Sequence, residues 1–282
     1  MIEAGQVHRS ADISRHPCFG ARAAKRWGRI HLPVAPKCNI QCNYCDRRSD
    51  CAHESRPGLS SGVHTPDESV AWLEEALAAG QKISVVGIAG PGDPLANPDE
   101  TFETLQKVRA LHSDMLLCLA TNGLALPDYL DDIAAVGASH VTVTINAIDP
   151  EIGGRMLGWV RYKDNTYRGA EAAEILLQRQ IEGINGLVSH GLIVKINTVL
   201  VPGVNDQHAV EVSKYFSEVG AEIHNIIPLI PVATTPFGSI PEPTAEEVHR
   251  VRSAAGQYLP QMSNCARCRA DACGRIPGEV GA

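Results

Sequence analysis

Six short apolar runs, each followed by a stretch with helical spacing, leave this chain few ways to fold. The runs cover residues 30–34, 83–88, 115–120, 140–145, 192–200 and 222–227. They are apolar almost throughout rather than alternating, which is the pattern of strands buried on both faces of a parallel sheet. Between them lie helices with recognisable starts and stops. Thr65-Pro66-Asp67-Glu68 offers a cap, a proline for the first turn and acids beside it, and Gly80 ends the run through Val70, Leu73 and Leu77. Further helices are predicted over 99–112, 127–136, a long segment carrying Ile175, Leu176, Ile181, Ile184 and Leu187, then 210–219 and 244–258, with a short one over 19–27. Six β/α units are too few to close an eight-stranded barrel, so the expected fold is α/β, an open, curved, TIM-like (β/α)6 partial barrel over about residues 29–230. A doubly wound open sheet is the alternative that periodicity does not separate from it. No linker divides the chain: residues 1–28 read as an extension, 29–258 as the barrel region and 259–282 as a cysteine-rich tail.

The segment directly after the first run gives the sheet pattern its meaning. Cys38-Asn39-Ile40-Gln41-Cys42-Asn43-Tyr44-Cys45 is a Cys-x3-Cys-x2-Cys motif. Three thiolates can hold three irons of a cubane 4Fe–4S cluster and leave the fourth iron open to chelate a small molecule. A structural zinc knot is the other reading, although such sites take four closed ligands and usually pair Cys-x2-Cys with a distant second pair. Parallel barrels gather their chemistry on the loops at the carboxyl ends of the strands. The cysteine motif follows the first run, Gly90-Pro91-Gly92-Asp93-Pro94 the second, Cys118 and Thr121-Asn122-Gly123 close the third, and Asn146 the fourth; Asn197 lies on the fifth. All of these are expected at one mouth.

Nine cysteines in 282 residues, with no signal-like N-terminal segment and no run of about 18 apolar residues, suggest a cytoplasmic chain whose thiols bind metal rather than pair as disulfides. The net charge of −7 argues against a nucleic-acid surface, and the basic residues from Arg22 to Arg29 read as a local anion site or a solvated face. Beyond the motif, Cys265, Cys268 and Cys273 form a Cys-x2-Cys-x4-Cys tail, while Cys18, Cys51 and Cys118 are scattered. Taken alone, a lone cysteine is most often a small buried hydrophobe, and the tail motif could hold zinc with a fourth ligand from elsewhere.

Across nearly its whole length the chain resembles the radical S-adenosylmethionine (SAM) superfamily, and within it the branch that matures the nitrogenase cofactor. The resemblance rests on His16-Pro17-Cys18, the run from His31 to Cys45, Ala89 to Asn97, Thr121-Asn122-Gly123, Trp159-Val160-Arg161-Tyr162, Asn197 to Asp206 and Cys265 to Cys273. It implies a first cluster on Cys38, Cys42 and Cys45 that binds SAM, with Tyr44 near the adenine, Gly90, Pro91, Gly92 and Asp93 in the turn that meets the methionine amine, and Asn146 and Asn197 as further SAM contacts. It also implies two substrate clusters, making three 4Fe–4S clusters in all. One would be held by Cys18, Cys51 and Cys118 with a histidine, His16 or alternatively His8, and the other by Cys265, Cys268 and Cys273.

The activity so implied joins two 4Fe–4S units, with a carbide from SAM and an added sulfur, into the 8Fe–9S–carbide precursor of nitrogenase cofactor. Asp50, His53 and Glu54 are candidates to accept protons, and Arg161 to orient a partner. The chain ends nine residues after Cys273, so a short form is expected, without the carrier-like domain found in many members. Cluster donors, an electron donor and separate carrier or scaffold proteins are the implied partners, and nothing in the sequence demands more than a monomer. The competing functions are another radical SAM enzyme with auxiliary electron-transfer clusters, and a non-enzymatic iron–sulfur scaffold.

Overall fold

The computed structural model describes residues 14–46, 48, 51, 62–262, 265 and 267–276. Six parallel strands form its centre: β1 (Gly28–His31), β3 (Ile83–Ile88), β4 (Leu116–Thr121), β5 (His140–Thr144), β8 (Ile193–Leu200) and β9 (Ile223–Pro228), in that spatial order. Their outer faces carry Ile30, Val86, Ile88, Leu117, Leu119, Val141, Val143, Val194 and Ile196. These pack into one core with Leu73, Leu105, Ile133, Leu187 and Phe216 of the covering helices. The sheet curls as a partial barrel, and its inner face is more polar, with Arg29, His31, Thr142 and Lys195 bordering an interior cavity. No described helix is long and apolar enough to cross a membrane.

The helix starts follow the expected chemistry. Thr65 accepts a hydrogen bond from the Glu68 amide while Glu68 accepts one from the Thr65 amide, and Thr244 and Glu247 repeat the arrangement. Each such box satisfies two amides that the first helical turn leaves unpaired. The predicted helix over 127–136 is split into a 3-10 turn, Leu126–Tyr129, and a short α-helix, Leu130–Ala135.

The first strand is displaced from its predicted position. It begins at Gly28 and ends at His31, rather than covering 30–34. Pro33 has no amide to give a ladder, and the chain continues beside β3 and the turn after it through isolated bonds, Leu32 N–H to Gly87 O (2.9 Å) and Ala35 N–H to Gly90 O (3.3 Å) among them.

Two features escape a periodicity reading altogether. A small antiparallel sheet joins β2 (Ile40–Cys42), β6 (Leu157–Tyr162) and β7 (Asn165–Tyr167). It places the cysteine motif opposite the hairpin, with Ile40 against Val160 and Cys42 against Leu157. The hairpin turns through Lys163 and Asp164, both at positive φ (47° and 64°). The second feature is the tail. The amide of Met262 donates to His224 O and that of His224 to Pro260 O, which fixes 260–262 along β9. β10 (Cys273–Arg275) pairs antiparallel with β1. The tail therefore crosses from the last parallel strand to the first, spanning the open side of the curled sheet. Gly28 permits that closure, since a Cβ there would lie 2.7 Å from the Gly274 carbonyl carbon.

One buried histidine lends the fold a pH dependence. His224 is enclosed between Ser213 and Thr198, and burial, with Arg252 adding to it, lowers its pKa to about 3. The unfolded chain binds that proton near 6.5, so the stability is present above that pH and is lost as pH falls towards 3. The loss is about 1.4 kcal/mol per unit for each such histidine. Denaturant midpoints of the cluster-free chain should fall steadily between pH 6.5 and 4.5, and His224→Gln should flatten the slope.

Candidate functional site

The cysteine loop is held from below by the turn after β3. The Gly92 amide donates to Ala35 O (2.6 Å) and the Asp93 amide to Lys37 O (2.8 Å). Asn97 grips both the amide (3.1 Å) and the carbonyl (2.9 Å) of Lys37, the residue before Cys38. Gly92 lies so close that a Cβ would sit 2.1 Å from Lys37 O. The buried carboxylate of Asp93 accepts from the amides of Leu95 and Asn122 and from the Thr121 hydroxyl, tying this turn to the end of β4. Burial raises the Asp93 pKa, and those hydrogen bonds oppose the rise. Gly92 and Asp93 thus act as a fastener under the loop, and Gly90 (φ 139°) and Pro91 make the bend that presents them.

Within the loop, Gln41 Nε2 donates to the carbonyls of Cys42 (3.0 Å) and Cys45 (2.7 Å), and the Cys45 amide closes a turn on Cys42 O. Cys42 is buried among Ile40, Leu124, Met156, Leu157 and Val160, with Cys38 and Cys45 packed on the rim of that cluster. Asn122 Nδ2 donates to Cys38 Sγ (3.7 Å). Soft thiolates in an apolar nest, with a donor aimed at one sulfur, suit an iron–sulfur cluster, whose stability is tuned by such contacts.

Tyr44 is buried behind the loop. Its hydroxyl accepts from Asn146 Nδ2 (2.9 Å), and Asn146 Oδ1 accepts the Val199 amide, so the tyrosine sets the position of the asparagine. Burial, reinforced by Cys42, pushes its pKa well up and keeps the phenol neutral. Asn146 itself lines a cavity of about 440 Å³, its open mouth included, together with Cys42, Asn122, Thr144 and Gln180. Sequence reading missed Gln180. It donates to Asn122 O (2.7 Å) and Thr144 O (2.9 Å), bracing the ends of two strands. The signal was available: a glutamine at helical spacing within the stripe of Leu176 and Ile184. Asn197 lies buried on β8 in register with Thr144 and Asn225 and is not among the residues lining this cavity.

A second cavity, about 350 Å³ with its open mouth included, lies on the inner face of the barrel and is lined by His16, Cys18 and Cys118 along with Arg29, His31 and Lys195. Cys118 was expected near the mouth. The ladder puts it mid-strand instead, in one row with His31, Gly87 and His140, so this site opens on the barrel interior. The Cys18 amide donates to His16 Nδ1 (3.2 Å), and the buried Nε2 of His16 has no hydrogen-bond partner in the protein. Burial, then the nearby His140, Lys195 and His31, hold the His16 pKa well below its usual value. The ring is therefore neutral, the form that ligates metal. Cys51 is buried, is not among the residues lining this cavity, and lies close enough to Tyr44 to help raise the phenol's pKa. His8, Asp50, His53 and Glu54 lie outside the described residues.

The tail cysteines are strung across the open side of the barrel. Asn225 Nδ2 on β9 donates to Cys265 Sγ (3.3 Å), and Arg29 Nη2 on β1 donates to Cys268 Sγ (2.7 Å). Cys273 pairs with Ile30 in the ladder and shares its outer face, while Arg29 faces inward. Among the described residues, no three His, Cys, Asp or Glu side chains converge as around a single metal ion; a cubane spreads its thiolates over separate irons. Arg161, proposed to orient a partner, is exposed on the hairpin with its guanidinium over Trp159 (5.4 Å).

Residues 32–216 match the Radical SAM superfamily. This chain belongs to that superfamily. Its sheet order and its cysteine loop at the end of β1 fit that membership. Among curated relatives, the FeMo cofactor biosynthesis protein NifB of Chlorobaculum tepidum is 51% identical over 269 residues, covering 95% of this chain and 63% of the relative. The protein of the same name from Klebsiella pneumoniae is 50% identical, covering 93% of this chain and 57% of its own length. The chain thus spans less than two thirds of the length of these relatives. Among solved structures, HydG, a maturase of the [FeFe]-hydrogenase, aligns with a TM-score of 0.58 at 13% identity, over 91% of this chain and 54% of that one. Methylornithine synthase, PylB, aligns with a TM-score of 0.53 at 13% identity, over 100% of this chain and 84% of that one. At such identities the likeness is one of fold, and it agrees with the expected partial barrel.

Proposed function

We propose that this chain is a radical SAM enzyme of nitrogenase FeMo-cofactor biosynthesis. It joins two 4Fe–4S clusters, with a carbide taken from SAM and an added sulfur, into the 8Fe–9S–carbide precursor. The observation that carries the reading is spatial. His16, Cys18 and Cys118, far apart in sequence, line one interior cavity, and that cavity also holds Arg29, which reaches Cys268 of the tail. Identity to proteins named for FeMo cofactor biosynthesis supports the pathway.

In this reading Cys38, Cys42 and Cys45 would hold the resident 4Fe–4S cluster, which when bound would supply the electron for reductive cleavage of SAM. The chain's own residues then position and shield. Gln41 and Asn122 hold the loop and its sulfur, Gly92, Asp93 and Asn97 fasten it to the barrel, and Asn146 and Gln180 shape the adjoining cavity. His16, Cys18, Cys51 and Cys118 would take one substrate cluster, and Cys265, Cys268 and Cys273 the other. Of these, Cys273 stands on the outer face of β10 and requires local movement of the tail to join its set. Substrate clusters, an electron and an acceptor for the product would come from separate proteins.

Anaerobic reconstitution should load about twelve irons per chain. Addition of SAM and dithionite should form both 5′-deoxyadenosine and S-adenosylhomocysteine, with methyl carbon retained on the cluster. Cys268→Ala should spare the first cluster and SAM cleavage but stop formation of the eight-iron product. Product formation undiminished in Cys268→Ala would remove the tail from the site, and absence of both nucleosides from iron-loaded protein would remove the reaction.

A further inference from the structure

The reaction makes no use of the basic residues just before β1. The short helix Ala21–Arg26 carries Arg22, Lys25 and Arg26, all exposed, with no acid in its first turn. At spacings of three and four residues these side chains neighbour one another on the helix, where like charges repel. Half-buried Trp27 follows, with the guanidiniums of Arg26 (5.1 Å) and Arg15 (5.7 Å) over its ring. Arg275 of β10 extends the same surface, its Nη1 donating to the Lys25 carbonyl (3.5 Å). Among the described residues, Arg15 is the one cation of this group in an ion pair, with the exposed Asp114 (3.4 Å). In a chain whose net charge is −7, this edge is a local reversal of sign. Trp and Arg are the side chains that most often dominate protein–protein interfaces, and a charged patch selects an oppositely charged partner and speeds its encounter.

The position of the edge narrows the choice of partner. It lies at the amino end of β1, whereas Cys38–Cys45 follow the carboxyl end. A protein that feeds electrons to the first cluster is better served by docking at the opposite end. This edge is instead bracketed by one cysteine from each substrate set. Cys18 lies three residues before the helix begins, and Cys273 is the first residue of β10, the end strand of the seven-stranded sheet. Cys273 and Arg275 are both exposed and, two apart on a strand, point to the same side.

We propose that the edge formed by the Ala21–Arg26 helix, Trp27 and Arg275 is the surface on which an acidic carrier protein docks to deliver 4Fe–4S clusters. This rests on the assignment of Cys18 and Cys273 to the two substrate sets. Delivery is a ligand exchange without electron transfer. An iron bond to a carrier thiolate breaks as an iron bond to Cys18 or Cys273 forms, and the proton of the incoming thiol leaves on the carrier's cysteine. The cations take no part in that exchange; they hold the acidic carrier beside the thiols that receive its cargo.

The test loads the full chain, its first cluster already reconstituted, from two sources of isotopically labelled iron. One is a purified acidic protein carrying a single 4Fe–4S cluster, the other a synthetic thiolate-ligated 4Fe–4S cluster free of protein. The rate at which the Mössbauer signal of the added cluster appears is the readout. At low salt, the triple variant Arg22→Glu/Lys25→Glu/Arg26→Glu should take clusters from the acidic protein about 10- to 100-fold more slowly, within the range of electrostatic steering. At about 1 M salt, where screening acts within about 3 Å, the difference should vanish. Loading from the synthetic cluster and SAM cleavage with dithionite should be unchanged. Should the triple reversal destabilise the chain, Arg22→Gln/Lys25→Gln/Arg26→Gln replaces it, with a smaller slowing expected. Transfer from the acidic protein at the wild-type rate in both variants would overturn the docking surface, as would an equal slowing from both sources. An acidic flavodoxin in place of dithionite tests the other occupant: if the variants lose SAM cleavage with flavodoxin but keep cluster transfer, the edge serves an electron donor and the proposal falls. If the wild-type chain takes an added cluster from neither source, the substrate-cluster reading itself fails.

Discussion

Cys42→Ala is expected to reduce reductive SAM cleavage to the background of iron-free protein, a loss of at least about a thousandfold or roughly 4 kcal/mol of transition-state stabilisation. The three motif cysteines share one loop but not one environment. Cys42 is buried and borders the cavity beside Asn146, whereas Cys38 and Cys45 are part-exposed. Removing it leaves two ligands for a cluster that already lacks a fourth protein ligand. The void would also sit where β2 meets β6, opposite Leu157. Iron should drop from about twelve to about eight per chain if the substrate sites load independently. Electron paramagnetic resonance of the dithionite-reduced protein, with quantified 5′-deoxyadenosine, reads both effects. Retention of SAM cleavage in this variant would move the radical chemistry away from residues 38–45.

Gly92→Ala should be nearly as damaging, by a different route. Its Cβ would meet Lys37 O at 2.1 Å and the Lys37 carbonyl carbon at 2.6 Å, backbone atoms with no rotamer through which to yield. The segment before Cys38 must then move off the turn, breaking the Asn97 clasp and the Gly92 to Ala35 bond. A loss of about 3 kcal/mol or more is expected, in the range of severe overpacking, together with poor incorporation of the first cluster. Gly80→Ala provides the comparison. Gly80 also has positive φ (82°), but a Cβ there meets nothing within 4 Å. That variant should lose only the conformational preference, about 1–2 kcal/mol, and keep its iron. Denaturant melts and iron content of the two variants separate strain from collision. Equal behaviour would mean that the turn does not fasten the loop.

The parallel strands were legible because their side chains are apolar on both faces or nearly so, as at 83–88, where sequence and structure agree to the residue. Helix starts at Thr65 and Thr244 were legible because a cap is local chemistry. The short strands were not. Ile40–Cys42 and Cys273–Arg275 have three residues each and exist only because a partner strand lies alongside. Gln180 could have been read as a polar residue in an apolar stripe, but what it braces could not. Its partners, Asn122 and Thr144, come from two different strands.

The sequence by itself determined the α/β alternation, the Cys-x3-Cys-x2-Cys loop after the first strand and the membership that goes with it. Those signals are carried by residue type and short spacing. Only the tertiary structure decided that Cys118 faces the barrel interior with His16 and Cys18, that the tail crosses from β9 to β1, and that Cys273 stands on the outer face. The physical reason is register. In a strand, a shift of one position moves a side chain to the opposite face, and ladder pairing with residues far along the chain sets that register. No local pattern encodes it.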